Sequence, residues 1–305
     1  MSSEASMVKP DHWANLLWAL GAPHIARGFG LPWLPSQRQA ELSGYFSRAE
    51  VRERLASQLD SSLRRNDERK KTARLGVYFE NLWAFAFAQH PAYTLICRNL
   101  PLRAGGRTLG ELDFVVQHLP SGATEHWEIA VKFYLQVQGE YWVGPSIRDR
   151  LDIKLARMRE HQLPLIRQPA AREILQQRDI HIDRQWALMP GRLFRPLGEE
   201  QAMLHAAINP ETCRYWWAPL DEFHFHFRRQ PLRWWHLPKR AWLADRGYRA
   251  AHGDSVDSLV ETLRDRGLER PLCVAAREAD RDADREISRG FIVPDDWYET
   301  ALDSL

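Results

Sequence analysis

A turn between two strand-like segments constrains this chain more than any other feature of its sequence. Residues 110–119 and 124–135 both alternate apolar and polar side chains, and the stretch between them, PSGA at 120–123, has the composition of a tight turn. The sequence therefore predicts an antiparallel β-hairpin. Each strand has an apolar face for helices to cover and a second face that carries charges.

The charged side chains of this predicted hairpin share one face. Successive strand residues point to opposite sides, so Glu111 goes with Asp113 on one strand and Glu128 with Lys132 on the other. A short loop at the turn pairs residues whose numbers sum to about 243, with Asp113 opposite Ala130. Opposite positions lie ~5 Å apart and diagonal ones ~7–8 Å, close enough for carboxylates to share one divalent ion.

Such a group of side chains suits phosphodiester hydrolysis. Carboxylates hold Mg²⁺, which prefers oxygen ligands and lowers the pKa of its bound water. A nearby lysine can orient that water or stabilise transition-state charge. The alternative interpretation, an exposed sheet face with a cross-strand glutamate–lysine pair, stays open on these residues alone.

The elements around the hairpin follow the order helix, three strands, helix, strand. The apolar helix comes first and is ended by Pro91. Its single acid, Glu80, is costly to bury without a partner, so we expect it beside a cation, a metal or the rim of a cleft. The predicted elements are helix 75–90, strand 93–100, the hairpin strands 110–119 and 124–135, helix 146–162 and strand 185–194.

This order, with GELDF at 110–114 followed by EIAVK at 128–132, resembles the core of the PD-(D/E)XK phosphodiesterase superfamily over residues 67–194. The chain also resembles an uncharacterised bacterial family, a domain of unknown function placed in that superfamily. The segments that carry this second resemblance are YFENLWAFAF (78–87), GELDFVV (110–116), HWEIAVKFYL (126–135), GPSIRDRLDIKLARMREHQL (144–163), LPKRAWL (237–243) and RGFIVPDDW (289–297).

The resemblance implies an α/β fold, a PD-(D/E)XK-like core whose mixed sheet is flanked by helices. The implied organisation is an N-terminal helical extension over 1–66, the nuclease-like core over 67–194, and an aromatic-rich, β-containing C-terminal region over 195–305. That last region either extends the same sheet or forms a separate domain.

The resemblance also implies roles for particular residues. Asp113 matches the motif aspartate, a metal ligand, and Lys132 matches the motif lysine. Glu80 matches the acid on the first helix. The usual acid two residues before the lysine is replaced by Ala130, and the nearest acid is Glu128. Either Glu128 or Glu80 supplies the missing ligand, or the site is inactive.

The function implied is that of a metal-dependent nuclease. Asp113, Glu128 and Glu80 would hold Mg²⁺ or Mn²⁺, Lys132 would assist the attacking water, and Glu111 and Lys154 are accessory candidates. Nucleic acid is the implied substrate, with DNA favoured by resemblance only. The alternative is a catalytically inactive protein of the same fold that binds nucleic acid or a protein partner.

Charge and aromatic content bear on that choice. Lys+Arg is 42 and Asp+Glu is 40, so nucleic-acid binding would need local basic patches, for which 64–74 and 228–235 are the candidates. The 13 tryptophans are either core residues or a stacking surface for bases. His224 and His226, in FHFHF, are predicted to share a strand face and form a weak metal-site candidate.

The broad class follows from composition. With 44% hydrophobic and 27% charged residues the chain can bury a core. Its three cysteines show no CxxC spacing, which favours a reducing compartment over a disulfide scaffold. Apolar runs are far shorter than the ~18 residues of a membrane helix, and the first residues lack a signal-peptide pattern. We expect a cytoplasmic protein without a membrane partner.

Overall fold

The structure is a computed structural model that describes residues 8–70, 74–199, 204–245, 248–249, 253–278 and 286–305. In the predicted basic patch at 64–74, the side chains of residues 67–73 lie outside what it describes. Among the described residues, no helix combines the length and the apolar character needed to cross a membrane.

The chain divides into two compact units, each built from separated segments. The first unit contains Met1–Trp18, Lys132–Leu151 and Gly191–Leu305. The second unit contains Ala19–Val131 and Asp152–Pro190. Residues 195–305 therefore belong with two short segments that the sequence analysis placed in the core. The predicted boundaries at 66/67 and 194/195 stay predictions.

The described residues form nine α-helices and thirteen strands. The helices are α1 His12–Gly21, α2 Ser36–Phe46, α3 Ala49–Lys70, α4 Leu75–Gln89, α5 Leu151–Arg157, α6 Pro169–Gln177, α7 Leu220–Phe227, α8 Val256–Arg266 and α9 Trp297–Asp303. The strands are β1 Lys9–Pro10, β2 Tyr93–Ala104, β3 Arg107–His118, β4 Ala123–Ile129, β5 Lys132–Val137, β6 Tyr141–Val143, β7 Arg184–Leu188, β8 Gly191–Pro196, β9 Tyr215–Pro219, β10 Leu232–His236, β11 Tyr248–Arg249, β12 Leu272–Glu278 and β13 Ser288–Val293. The chain is thus a mixed α/β protein.

The second unit is built on a four-stranded sheet in the order β2-β3-β4-β7. Strands β2, β3 and β4 are antiparallel, and β7 runs parallel to β4. The hairpin of β3 and β4 forms with Phe114 opposite Trp127 and Val115 opposite His126. The predicted register, with Asp113 opposite Ala130, was wrong by two residues. Because the error is even, it leaves each side chain on its predicted face.

Helix α4 covers one face of this sheet with aromatic side chains. Trp83 and Phe87 lie with their ring centroids 5.6 Å and 5.1 Å from that of Trp127, and Phe87 also lies 5.4 Å from Phe114. These rings are fully buried. The helix ends at Gln89, two residues before Pro91, which cannot continue a helix, and this fixes where the buried face stops.

Two predicted strands were wrong because each is divided between the two units. The segment predicted as one strand over 124–135 forms β4 in the second unit and β5 in the first, and the segment over 185–194 forms β7 and β8 in the same way. Strand β4 pairs with β7 and β5 pairs with β8. Ala130 and Val131 separate β4 from β5, whereas Gly191 directly follows Pro190 and begins β8. In both cases the strands available for pairing differ between the two halves.

The first unit is built on a seven-stranded sheet in the order β10-β12-β13-β9-β8-β5-β6. The four strands β13, β9, β8 and β5 are mutually parallel. A buried cluster under one end of the sheet joins α7 and α8 to β10 and β12, with Phe223, Phe227 and Trp234 at its centre.

Two further predictions about elements were wrong in part. FHFHF was predicted as a strand and forms most of α7, because Leu220, Phe223 and Phe227 recur at helical spacing and are the residues that are buried. The helix predicted over 146–162 starts at Leu151 and continues through a π-helical turn, Met158–Gln162, and a 3-10 turn, Leu163–Arg167.

Candidate functional site

Asp113 is a nearly buried carboxylate in β3 of the second unit. Its Oδ2 atom accepts a hydrogen bond from the backbone N–H of Ile129 at 3.0 Å. Burial raises the pKa of Asp113, and the negative charges of Glu80 and Glu111 raise it further against the lowering effects of the Ile129 bond and Lys154. Asp113 thus lies within electrostatic range of Glu80, Glu111 and the ammonium of Lys154, in addition to Glu128.

Glu128 in β4 is the neighbouring carboxylate and is only 1% exposed. Its Oε1 atom accepts a hydrogen bond from the amide of Gln162 and lies 3.6 Å from Nζ of Lys154. Its Oε2 atom is buried with no hydrogen-bond partner. Burial raises the pKa of Glu128 and the charge of Asp113 adds to this, so the two carboxylates oppose each other's ionisation.

A second buried glutamate on the same strand shows what a satisfied carboxylate looks like here. Glu125 is completely buried, pairs with Arg38 at 3.0 Å, and accepts a hydrogen bond from Nε1 of Trp127. Arg38 contacts both oxygens of Glu125 and the hydroxyl of Tyr93. Glu125 is therefore fixed in the core, whereas Glu128 keeps one oxygen available.

The predicted helix acid, Glu80, lies in the first half of α4 in the same unit. Its Oε2 atom accepts a hydrogen bond from the Asn99 amide at 3.3 Å. Asn99 has a positive φ of 50°, a left-handed backbone conformation that asparagine tolerates better than most residues. This conformation occurs inside β2 and brings the amide to Glu80.

A lysine and a glutamine from the helical segment 151–162 complete the surroundings of Glu128. Nζ of Lys154, in α5, donates a hydrogen bond to Oε1 of Gln162 at 2.7 Å. The amide of Gln162, in the π-helical turn, donates to Glu128. Because a π-helical turn adds a residue to the helical repeat, it changes which side chains of this segment face the sheet.

His126 lies two residues before Glu128 on the same face of β4 and is fully buried. Its Nδ1 atom accepts a hydrogen bond from the Gln185 amide at 3.0 Å, which leaves the ring proton on Nε2. Nε2 has no hydrogen-bond partner. Burial lowers the pKa of His126 to about 4, so the ring is neutral at pH 7.

The remaining predicted residues are Glu111 and Lys132. Glu111 is exposed on β3, two residues before Asp113. Lys132 begins β5 and belongs to the first unit, where its ammonium pairs with Asp149. The role assigned to Lys132 stays a prediction. The structure brings Asp113, Glu128, Glu80 and Lys154 together within the second unit.

The donor set suits a hard divalent cation in part. In the part of the chain that the structure describes, no three His, Cys, Asp or Glu side chains form a ready metal cluster. Mg²⁺ is commonly bound through one or two carboxylates, the other positions being filled by water and substrate phosphate. Asp113 and Glu128, with Oε2 of Glu128 unpartnered, fit that requirement as a pair.

The histidine pair predicted as a weak metal candidate does not share a face. His224 and His226 lie two residues apart on helix α7, where such spacing separates side chains. Nε2 of His224 contacts Asp257 at 2.7 Å. The prediction failed because the alternating letters of FHFHF suggested a strand.

Several residues around the carboxylates were not found from the sequence. Gln162, Asn99 and Gln185 carry no motif, and their positions depend on the π-helical turn, a left-handed residue and a parallel strand. His126 is the neighbour that the sequence does place, because alternate residues of a strand point to the same face and His126 lies two residues before Glu128.

Comparison with known proteins gives one match. No curated protein and no solved structure matches the chain. A family model described as "Domain of unknown function (DUF1853)" matches residues 15–293, which is most of the chain. The chain therefore belongs to the domain of unknown function family DUF1853.

Proposed function

We propose that this protein is a metal-dependent phosphodiesterase of the PD-(D/E)XK type that acts on nucleic acid. The observation that carries the proposal is the pair Asp113 and Glu128, a nearly buried and a fully buried carboxylate on adjacent strands that oppose each other's ionisation. The superfamily assignment and a bacterial origin rest on the sequence resemblance and form part of the proposal.

A divalent cation resolves the electrostatic problem that this pair presents. Two buried carboxylates are hard to ionise together unless positive charge compensates them. Lys154 supplies one positive charge beside Glu128. The unpartnered Oε2 atom of Glu128 has lone pairs with which to bind a second cation. Strongly perturbed carboxylates with a specific charged neighbour are typical of functional sites.

The side chains have distinct roles in this proposal. Asp113 and Glu128 would hold Mg²⁺ or Mn²⁺, and Glu80 would become a third ligand only after its side chain moves, since no three acids of the described residues form a ready cluster. Lys154 and Gln162 orient Glu128. The cation, when bound, lowers the pKa of its water and neutralises charge on the phosphate.

Lys154 is the side chain that would stabilise charge on the phosphate, because it lies beside the carboxylates in the same unit. Its Nζ lies 3.6 Å from Glu128 and it lowers the pKa of Asp113. Lys132, the predicted catalytic lysine, keeps its proposed role in assisting the attacking water. Replacing each lysine in turn by methionine separates these two roles.

The proposed substrate is nucleic acid, and DNA is favoured by resemblance alone. The described arginines Arg64 and Arg65 of the basic patch at 64–74 are exposed and available to phosphate. We also propose a cytoplasmic location, which is supported by three unpaired cysteines, one of them buried.

Calorimetry with Mn²⁺ and Mg²⁺ tests the metal site directly. We expect the wild-type protein to bind the ion, and Asp113→Asn or Glu128→Gln to weaken binding by about ten-fold or more, since each change removes a carboxylate ligand. Glu173→Gln, an exposed acid on α6 of the same unit, is the matched control and should bind as the wild type does. Ion binding that survives both site changes would contradict the proposal.

Cleavage of labelled DNA and RNA tests the activity. The wild-type protein should cut one of them only with Mg²⁺ or Mn²⁺ present, and Asp113→Asn should reduce the rate at least about a hundred-fold. Melting temperatures of all variants show whether a loss comes from unfolding.

A second candidate, a catalytically inactive protein of the same fold, is favoured by two observations. The usual acid position holds Ala130, and Oε1 of Glu128 is already engaged by Gln162 and Lys154. This candidate predicts no ion binding and no cleavage, with nucleic acid or a protein still bound.

A further inference from the structure

An open groove in the first unit lies where four parallel strands end. It is lined by residues that follow or end β5, β8, β9 and β13, and it encloses about 1080 Å³. Open parallel sheets bind ligands at the carboxyl ends of their strands. The groove lies wholly outside the unit that holds Asp113 and Glu128.

The lining of this groove is strongly acidic. Five carboxylates line it, and His226 is the one residue of the lining that can carry a positive charge. Asp221 pairs with Arg264 at 2.7 Å, whereas the other four acids make no ion pair with a described residue. The five acids are Glu199, Asp221, Glu222, Asp295 and Glu299. The groove therefore has charge available for a cation.

Aromatic rings lie between these acids. Trp217 and Tyr298 stack with ring centroids 5.9 Å apart, and Phe225 is 72% exposed, which is unusual for a phenylalanine. The guanidinium of Arg228 already lies 4.9 Å from the centre of the Phe225 ring. An aromatic face beside carboxylates suits guanidinium and ammonium groups.

A buried side-chain amide in the groove wall has an oxygen that accepts no hydrogen bond. Gln136 is 1% exposed, its amide donates to the carbonyl of Gly139, and its Oε1 atom makes no hydrogen bond. A buried acceptor without a donor is costly. This oxygen would be satisfied by an N–H donor of a ligand, whereas the carboxylates of the lining select for positive charge.

We propose that this groove binds a basic peptide segment. Its arginine or lysine side chains would lie against Phe225 and Tyr298 and pair with Glu222, Asp295 and Glu299. A peptide or guanidinium N–H would reach Oε1 of Gln136 once that amide rotates toward the groove, because the atom is closed to solvent in the unbound chain. A groove this large exceeds what one side chain fills, which favours a peptide over a single small cation. This binding is independent of the proposed nuclease activity.

Fluorescence anisotropy with fluorescein-labelled octa-arginine tests the proposal on the full chain. The groove variant combines Glu222→Gln, Asp295→Asn and Glu299→Gln, and we expect it to raise the Kd by about ten-fold. Phe225→Ala, a change at an exposed residue, should raise the Kd by about three-fold or more through the lost aromatic face.

A matched variant separates a built site from general charge attraction. Glu53→Gln, Asp60→Asn and Glu261→Gln remove the same charge from exposed positions on α3 and α8 and should leave the Kd within about two-fold of wild type. Equal losses in both triple variants, or no loss in the groove variant and Phe225→Ala, would overturn the proposal. Displacement of the peptide by equimolar spermidine would also overturn it, by showing that the groove takes a free polyamine.

Discussion

Glu125 and Glu128 are both buried on β4, but they lie on opposite faces of the sheet, and their surroundings give them opposite energetic roles. Arg38 and Trp127 satisfy Glu125, which is therefore a structural residue. Glu128 has one oxygen without a partner and shares its surroundings with Asp113. A buried ion that is fully paired is cheap to keep, whereas one left partly unpaired lowers stability unless a ligand completes it.

This difference predicts how stability depends on pH. The folded-state pKa of Glu128 lies above its ordinary value of 4.5, so the folded protein holds the proton more tightly than the unfolded chain does. Stability is then greatest below pH 4.5 for this group and falls as the pH rises toward the folded pKa. Between about pH 5 and about pH 8 the wild-type protein should lose free energy of unfolding as Glu128 ionises. We expect Glu128→Gln to make this loss smaller by on the order of 2 kcal/mol, because glutamine does not ionise.

Urea unfolding of the wild type, Glu128→Gln and Glu173→Gln at both pH values checks this. The Glu173 variant should follow the wild type, because that acid is exposed. Added Mg²⁺ should stabilise the wild type more at the higher pH. An unchanged pH profile for Glu128→Gln would show that Glu128 is ionised without cost.

Two buried arginines in the first unit stabilise the fold, whereas the ionised form of Glu128 destabilises it. Arg289 is 3% exposed, pairs with both oxygens of Glu286 at 2.6 Å and 2.8 Å, and donates to the carbonyls of Trp242 and Ala244. Arg192 shares that loop through Trp242 and Leu243. These guanidinium groups satisfy a buried loop that would otherwise lack donors.

We expect Arg289→Lys to destabilise the protein by on the order of 3 kcal/mol, because an ammonium cannot reproduce the two-pronged contact with Glu286. The control is Arg264→Lys, whose exposed pair with Asp221 should cost less than about 1 kcal/mol. Chemical denaturation of both variants measures the difference. Similar small losses would mean that the buried loop finds other donors.

At the level of elements, the sequence predicted best where a pattern was local. The hairpin, the strand at β2 and the apolar helix α4 follow from period and turn chemistry alone. The alternation in FHFHF predicted a strand that buries every phenylalanine. Phe225 is instead exposed, and the buried residues are Leu220, Phe223 and Phe227, which have helical spacing. The division between β4 and β5 left no local mark, since it depends on partners distant in sequence.

The contact between β9 and β13 gives a prediction at this scale. Gly290 pairs with Trp216, and a Cβ atom at Gly290 would lie 2.2 Å from the Trp216 indole. We expect Gly290→Ala to cost on the order of 2–3 kcal/mol, since the partly buried Trp216 ring, which packs against a hydrophobic cluster, must move. Gly44→Ala, at an exposed position of helix α2 where nothing lies within 4 Å, should instead stabilise by about 0.5–1 kcal/mol. Thermal unfolding of both checks the contrast.

At the scale of the whole molecule, chain order and spatial order differ. Strands β5 and β8 come from the predicted core, but they complete a sheet with β9, β12 and β13 from the last third of the chain. Such assembly could not be predicted from the sequence, because strand pairing between distant segments, such as Lys132 with Gly191 or Trp216 with Gly290, has no periodic signature. The same holds for the site, where the faces of Asp113 and Glu128 were predictable and the partners from 151–162 were not.

This assembly predicts that a chain ending at residue 194 cannot fold by itself. It would cut β8 after Phe194 and lose β9, exposing the strand edge at Phe194, whose ring lies 5.3 Å from Tyr215 and 4.8 Å from Phe291. A long exposed edge with a buried aromatic uncovered leads to aggregation. We expect residues 1–194 to be insoluble when expressed alone and to be recovered as a soluble pair when residues 195–305 are co-expressed, as judged by co-purification and circular dichroism. A soluble, monomeric 1–194 with a cooperative thermal transition would show instead that β5 and β8 need no support from the C-terminal strands.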